Sequence, residues 1–476
     1  MLKRCRAVVA RGLRAIVSGS RSLAATVRRG YSPSELLIAA VVIAGTILVL
    51  SSVVATYFGT DAFASLSFFS NDNRCPGEDV AGAGIGGHCF GDYYQVVDFT
   101  RLPNPWVRYQ SNYSPSGMLP NMLFGWIGDV AGTPRAGLLA FLGLLALALA
   151  TPALWASRGK VLSLRAFAVA AFGLLTIPAL TGLDRGNNAP LAVPALLWFL
   201  VALKRGHLTQ VAVAIGLATL VRPQFVILIA VLLALRKWRM SVATFVAVGA
   251  SNLLAFLVWP EHFPRTVVDF FISVARFGRQ YSMADSYPPN VSFGKGLYEV
   301  DSVVRRSFGG SGSDPWMAHF GGYVGALVAA AFVVFVIVLG RRLPPLIGAI
   351  IVMACASMFL GATWSYNLAF CLAVAAVLLR DPLDLTPDPH RWSGALDSQP
   401  ATRAQGWAMG LIALAVAASL MRLVLPQTMH VELIGSPVRD DILATTASLA
   451  PVLWLVATTT ALAAWGLRRA SDRPVA

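Results

Sequence analysis

The sequence predicts an all-α, polytopic membrane protein of about 12 transmembrane helices with two large extracytoplasmic loops. Three observations carry that prediction. Only 13% of the 476 residues are charged, against about 25% in soluble domains, and 56% are hydrophobic. Apolar runs close to the ~20 residues that a bilayer-spanning helix needs recur along the whole chain, and lipid cannot satisfy backbone polar groups, so such runs must be helical. The basic residues gather in the short connections on one side, at Lys204-Arg205, Arg236-Lys237, Arg341-Arg342 and Arg468-Arg469, as the positive-inside rule requires.

In chain order, residues 1–30 carry eight basic residues and no acid, so residues 1–35 read as a cytoplasmic tail lying on the inner leaflet. Candidate spans follow near 36–57, 136–156, 163–182, 189–203, 208–221, 223–235, 240–258, 321–340, 343–360, 363–379, 405–424 and 445–467. They divide the chain into a transmembrane core (36–380), a Pro- and Asp-rich cytoplasmic linker (381–405) and a C-terminal pair of spans with a short tail (406–476). Both termini fall on the cytoplasmic side of the plasma membrane. The net charge of +15 thus reports topology and attraction to anionic lipid heads, not a nucleic-acid partner.

The two outer loops, 58–135 and 259–320, hold most of the polar chemistry. Loops that long are usually functional or disordered, and the aromatics, prolines and asparagines of the first favour function. Its end, Met118 to Val130, has the spacing of a short interfacial helix. Cys75 and Cys89 both lie in this loop and are expected to form a disulfide, because only the outer compartment is oxidising. No HExxH motif or Cys/His pair indicates a metal site, and no Walker or dinucleotide-binding glycine motif is present.

No charged residue falls in the middle of a span, which disfavours ion-coupled transport. An enzyme at the outer edge of the bilayer would draw on a lipid-borne donor. A polyprenyl-phosphate sugar carries a leaving group that is stable as an anion. Its transfer needs one carboxylate to take the acceptor's proton and cationic donors to hold the phosphate. Gly91-Asp92-Tyr93-Tyr94, Asn104-Pro105-Trp106 and Tyr113-Ser114-Pro115 stand in the first outer loop. Gly186-Asn187-Asn188, Val221-Arg222-Pro223, Asn290-Val291-Ser292 and Ser365-Tyr366-Asn367 follow at span ends.

In that order these segments resemble the motifs of the GT-C integral-membrane glycosyltransferases, specifically glycosyltransferase family 87. This branch includes actinobacterial polyprenyl-phosphomannose-dependent mannosyltransferases and related arabinofuranosyltransferases. Trp106, Val291, Ser365 and Asn367 depart from the family pattern, and with the late histidines goes any His-assisted role there. The resemblance implies Asp92 as general base, with Asp98 as runner-up, and Arg222 and Arg185 as ligands of the donor phosphate. It implies Tyr94, Trp106, Tyr113 and Trp364 as residues that stack on sugar, and Asn188 and Asn290 as residues that orient sugar or phosphate. The expected protein is a monomer with no metal and no cofactor beyond a polyprenyl-phosphate sugar co-substrate, acting on a cell-envelope glycolipid or polysaccharide. A polysaccharide polymerase or ligase on a similar scaffold and a lipid or sugar transporter are the rival readings.

Overall fold

The computed structural model describes residues 37–38, 40–42, 90–107, 111–283, 290–308, 315–359, 363–380, 403–421, 424–431 and 439–466. The basic tail, most of the first expected span, the Cys75–Cys89 bridge and most of the 381–405 linker lie outside the described residues.

Two short helices build the end of the first long loop, 58–135. Gly91–Thr100 (α1) follows Phe90, a non-glycine residue held at φ 47°. Pro115–Val130 (α2) starts where local chemistry dictates: the Ser114 hydroxyl accepts the Gly117 N–H at 3.2 Å, and Pro115 occupies the first turn. Pro134–Ala156 (α3) then begins a series of apolar helices. These are Leu162–Val169 (α4), Ile177–Arg185 (α5), Val193–Lys204 (α6), Leu208–Val221 (α7), Ile229–Ala234 (α8) and Trp238–Ala255 (α9). The second long loop, 259–320, contributes two amphipathic helices, Arg265–Met283 (α10) and Phe293–Ser307 (α11). The late elements are Pro315–Leu339 (α12), Pro345–Ala354 (α13), Phe370–Leu379 (α14), Arg403–Leu420 (α15) and Thr445–Gly466 (α16). Between α15 and α16 an antiparallel pair interrupts the helical pattern, Val424–Val431 (β1) with Arg439–Ala444 (β2).

Three helices among the described residues are long and apolar enough to cross a bilayer: Pro134–Ala156, Trp238–Val258 and Phe320–Leu339. Leu162–Leu174 and Ile177–Arg185 make a fourth if this pair, bent by 63°, is one span. The expected dozen is therefore not reached among these residues, and the reason is local. The run expected at 163–182 passes through a π-helical segment, Ala170–Leu174, and breaks ahead of Pro178. The runs at 189–203, 208–221 and 223–235 give shorter apolar helices, Ala189–Lys204, Leu208–Val221 and Pro223–Ala234. Residues 343–360 turn π-helical at Cys355–Phe359, and 363–379 starts as the 3-10 turn Ser365–Ala369.

The core explains why helices with little amphipathicity are stable here. α13 and α14 are buried on every side, from Leu346 through Ala354 and from Phe370 through Leu378. Helices apolar all round belong inside a bundle or in lipid. The outer helices leave large side chains uncovered: Leu147 on α3, Phe245 and Leu254 on α9, Leu327 and Val338 on α12. In water such a surface would invite aggregation; against acyl chains it carries no penalty.

The two long loops are latched together. Trp106 is 1% exposed and packs its ring against Phe256, Trp259 and Phe270, with centroids 4.9, 5.2 and 6.0 Å away. Asn104 Nδ2 donates to Asp269 Oδ2 at 2.8 Å, and Ser273 Oγ donates to the Ser111 carbonyl at 2.6 Å. This clamp holds the chain leading from α1 to α2 against α10.

One glycine fixes how α5 ends. Gly186 sits at φ 61°, and the Asn187 N–H turns back to the Gly182 carbonyl at 2.9 Å, closing the helix in a left-handed cap. A Cβ at Gly186 would meet the Tyr93 Cβ at 2.6 Å, so both backbone conformation and the approach of α1 demand glycine. Gly186→Ala is expected to destabilise the protein by about 2 kcal/mol or more, read as a lowered thermal midpoint of the solubilised protein. Gly216→Ala, whose Cβ would meet only Val248 Cγ2 at 3.8 Å, should leave the midpoint unchanged or raise it.

Candidate active site

Three helix ends meet in one place, and each delivers a charge. Asp92 lies in the first turn of α1, Arg185 in the last turn of α5, and Arg222 follows α7. Arg222 is extended, at φ −137° and ψ 105°, because the following Pro223 excludes the helical region. That breaks the apolar run at the point where a cation is needed.

Asp92 is 7% exposed. Arg185 grips it in a two-point pair, Nε to Oδ2 at 3.0 Å and Nη2 to Oδ1 at 2.8 Å. Asn187 Nδ2 adds a third bond to Oδ2 at 2.7 Å and also donates to the Tyr113 hydroxyl at 3.0 Å. The other end of the same amide faces the opposite charge: Asn187 Oδ1 accepts from Arg222 Nη2 and from the Ala189 N–H at 2.9 Å. The Arg222 guanidinium carbon lies 5.3 Å from the Tyr113 ring centre and 5.7 Å from that of Tyr366, within cation–π range of both rings. Beside this network Asn188 Nδ2 donates to the Gly117 carbonyl at 2.7 Å, which ties the site to α2. Among the described residues, the buried polar atoms without a partner include Arg222 Nε and Asn188 Oδ1, and nearby Asn290 Nδ2.

The structure thus brings together Asp92, Arg185, Arg222, Tyr113 and Asn188. Trp364 stands next to them through a small cluster with Ala189 and Tyr366. Asn290 holds Trp364 from behind: the two residues form an isolated bridge, and Asn290 Oδ1 accepts the N–H of Ser292 and of Thr363, each at 3.0 Å. Three of the sequence candidates sit elsewhere. Asp98 is exposed, a turn and a half further along α1, with Arg101 at 4.0 Å. Tyr94 is buried against Tyr93, their rings edge-on at 5.2 Å. The Trp106 ring is enclosed by the aromatic clamp, and its Nε1 donates to the Tyr113 carbonyl at 2.9 Å. Among the described residues no three of His, Cys, Asp or Glu come together as a metal-ligand set.

Sequence reasoning passed over two members of the network, Asn187 and Tyr366, although both lie inside segments singled out by the family resemblance. Only Asn187 had a further signal. It directly follows the helix-ending glycine, two residues before Ala189-Pro190, a place where an asparagine side chain turns back on the backbone.

The sequence profile of glycosyltransferase family 87 matches residues 112–363, more than half of the 476 residues. The chain belongs to that family. It is accordingly a glycosyltransferase, and its long apolar helices make it a membrane protein. No curated protein and no solved structure matches it. The matched region of this family 87 member takes in Tyr113, Arg185, Asn187, Asn188, Arg222 and Asn290, while Asp92, Asp98 and Trp106 precede it and Trp364 follows it by one residue.

The pair at the centre makes a specific energetic prediction for this family 87 enzyme. With side chains 14% and 9% exposed, removing either partner strands the other charge in a poorly hydrated place, at a cost of about 3–5 kcal/mol. Asp92→Asn and Arg185→Gln should each show that loss in unfolding measurements. The double variant should be milder than the sum by about 1–3 kcal/mol; strictly additive losses would mean that the two charges are not coupled.

A pH dependence follows from Tyr113. Burial first, and then the negative charge of Asp92, push its phenol from 10.0 up to about 12. The unfolded phenol loses its proton near pH 10 and the folded one near 12, so stability drawn from neutral Tyr113 is complete below pH 10 and lost as pH rises to about 12. Tyr113→Phe should flatten the fall in thermal midpoint across that window and leave the profile below it parallel to wild type.

Proposed function

We propose that this protein transfers a sugar, mannose or arabinofuranose, from a polyprenyl-phosphate donor to a cell-envelope glycolipid or polysaccharide. The reaction takes place at the outer face of the plasma membrane, with Asp92 as general base. What supports the reading is one buried carboxylate joined by a single amide to a second guanidinium, that of Arg222, whose Nε is a buried donor without a partner. In this reading the first outer loop and the ends of α5 and α7 face outward, and both termini are cytoplasmic. The shorter apolar helices serve as broken spans that complete the dozen. The protein works as a monomer, and the lipid-linked co-substrate supplies its own leaving group, so no further cofactor is called for.

The chemistry balances within the site. Asp92 takes the proton of the acceptor hydroxyl, and the acceptor oxygen forms its bond to the anomeric carbon. The bond from that carbon to the donor phosphate breaks, and its electron pair leaves with the polyprenyl phosphate. A single displacement of this kind inverts the anomeric centre. Arg222 and Arg185 hold the phosphate as its charge develops. Arg185 has a double part, because it is bound to Asp92 beforehand. A phosphate that draws on Arg185 loosens its hold on the carboxylate and makes Asp92 the stronger base, so proton abstraction waits for the donor. Asn188 Oδ1, an unpartnered buried acceptor, suits a sugar hydroxyl.

Transfer from synthetic polyprenyl-phosphomannose and polyprenyl-phosphoarabinofuranose by the purified full chain tests the reading. Asp92→Asn should lower kcat by about 10²–10⁴-fold. Arg222→Gln should raise the donor KM as well as lowering kcat, whereas the exposed Asp98→Asn should stay near wild type. Wild-type turnover in Asp92→Asn would remove it as the base. If neither donor is used, the polyprenyl-phosphate reading fails and the polymerase alternative gains.

A further inference from the structure

A cleft of about 940 Å3 runs between α7 and α9, and none of Asp92, Arg185 or Arg222 lines it. Small residues hollow it out: Ala212 and Gly216 on one wall, Ala243 and Ala247 on the other. It extends from Thr209 to Leu220 along α7 and from Trp238 to Ser251 along α9, which at ~1.5 Å per residue is roughly 16–20 Å, little more than one leaflet of a ~30 Å hydrocarbon core. Its walls lie among exposed apolar side chains, Val213, Val242 and Val246, so it opens sideways to lipid.

One end is cationic. Arg236, Lys237 and Arg239 all line the mouth and are exposed, and among the described residues none of the three has an acidic partner. Trp238, 51% exposed, stands among them with the Arg236 guanidinium carbon 6.0 Å from its ring centre, the placement of an interfacial aromatic. The backbone adds an independent observation. Arg236 is held at φ 60°, where its N–H reaches the Leu233 carbonyl and the Lys237 N–H reaches that of Leu232, each at 2.9 Å. This is the left-handed cap of α8, a position at which glycine relieves the strain and arginine does not. A strained cation kept where glycine would fit better points to a use for its charge.

We propose that this cleft binds an anionic phospholipid, with the head-group phosphate on Arg236, Lys237 and Arg239 and one acyl chain along Ala212, Gly216, Ala243 and Ala247. The one-leaflet depth suits an acyl chain and is too short for a polyprenyl tail, and the charge selects an anionic head over a zwitterionic one. The cationic end of the site lies at the start of α7, a helix length from Arg222 at its other end, and head-group binding there does not depend on which sugar the reacting residues handle.

Native mass spectrometry of the full chain, titrated in detergent with phosphatidylglycerol or with phosphatidylcholine, tests the assignment. Wild type should retain phosphatidylglycerol at least about tenfold more tightly, the effect expected of several cations at one head group. The triple variant Arg236→Gly, Lys237→Gln, Arg239→Gln should lose that preference while folding normally, because the glycine relaxes the φ 60° turn. Gly216→Leu fills the groove, and its Cβ would meet only Val248 Cγ2 at 3.8 Å; it should weaken retention of both lipids with the cations intact. Equal retention of the two lipids by wild type would overturn the proposal, as would a preference that survives the triple variant. Retention untouched by Gly216→Leu would reduce the site to a bare surface patch, and tighter retention of a polyprenyl phosphate than of phosphatidylglycerol would assign the cleft to another lipid.

Discussion

The pairing of Asp92 with Arg185 is the constraint on which the rest of the structure turns. Moving a carboxylate and a guanidinium out of water costs several kcal/mol for each, and neither would be tolerated at this depth alone. Their two-point contact, reinforced by Asn187, requires the start of α1 and the end of α5 to stay in register within a few tenths of an ångström. Gly186 makes that approach sterically feasible, since its missing side chain is the space occupied by Tyr93. The aromatic clamp around Trp106 does the corresponding work at the other end of α1, fastening it to the second long loop. Features scattered over a hundred residues of sequence serve one ion pair.

Much of the site was legible because charge is rare in this chain. In a sequence with 13% charged residues, an aspartate in the first long loop and an arginine pinned ahead of a proline stand out by scarcity, and both Asp92 and Arg222 entered the cluster. Neutral groups do not announce themselves in that way. Asn187 and Asn188 are identical in composition and adjacent, yet one bridges opposite charges while the other anchors α2. Only the direction of each side chain at the cap of α5 separates them. Trp106 illustrates the same limit for aromatics: an indole that stacks on sugar and one that locks two loops together look alike until its neighbours are known.

The fold was legible in kind more than in count. Apolar content fixes that the helices lie in lipid or inside one another, and the fully enclosed α13 and α14 and the lipid-facing sides of α9 and α12 follow from it. Run length, however, measures hydrophobicity and is blind to where a helix changes pitch. The π-helical stretches at Ala170–Leu174 and Cys355–Phe359, the bend ahead of Pro178 and the extended Arg222 all interrupt runs that read as continuous. Of these interruptions, the Pro178-containing α5 and the Arg222 break lead directly into the cluster. Backbone irregularity and chemistry coincide there because a regular helix has no loose end to offer a ligand.

Asn187 also sets what can pass between the two charges it joins. A primary amide holds its hydrogens firmly on nitrogen and offers a lone pair only at oxygen, so it transmits electrostatic influence between its neighbours but cannot hand a proton across. With Nδ2 turned to Asp92 and Oδ1 to Arg222, it keeps anion and cation apart at a fixed spacing and stops them from neutralising each other by direct contact. The two ends of the cluster therefore feel one another's charge while remaining insulated as acid and base.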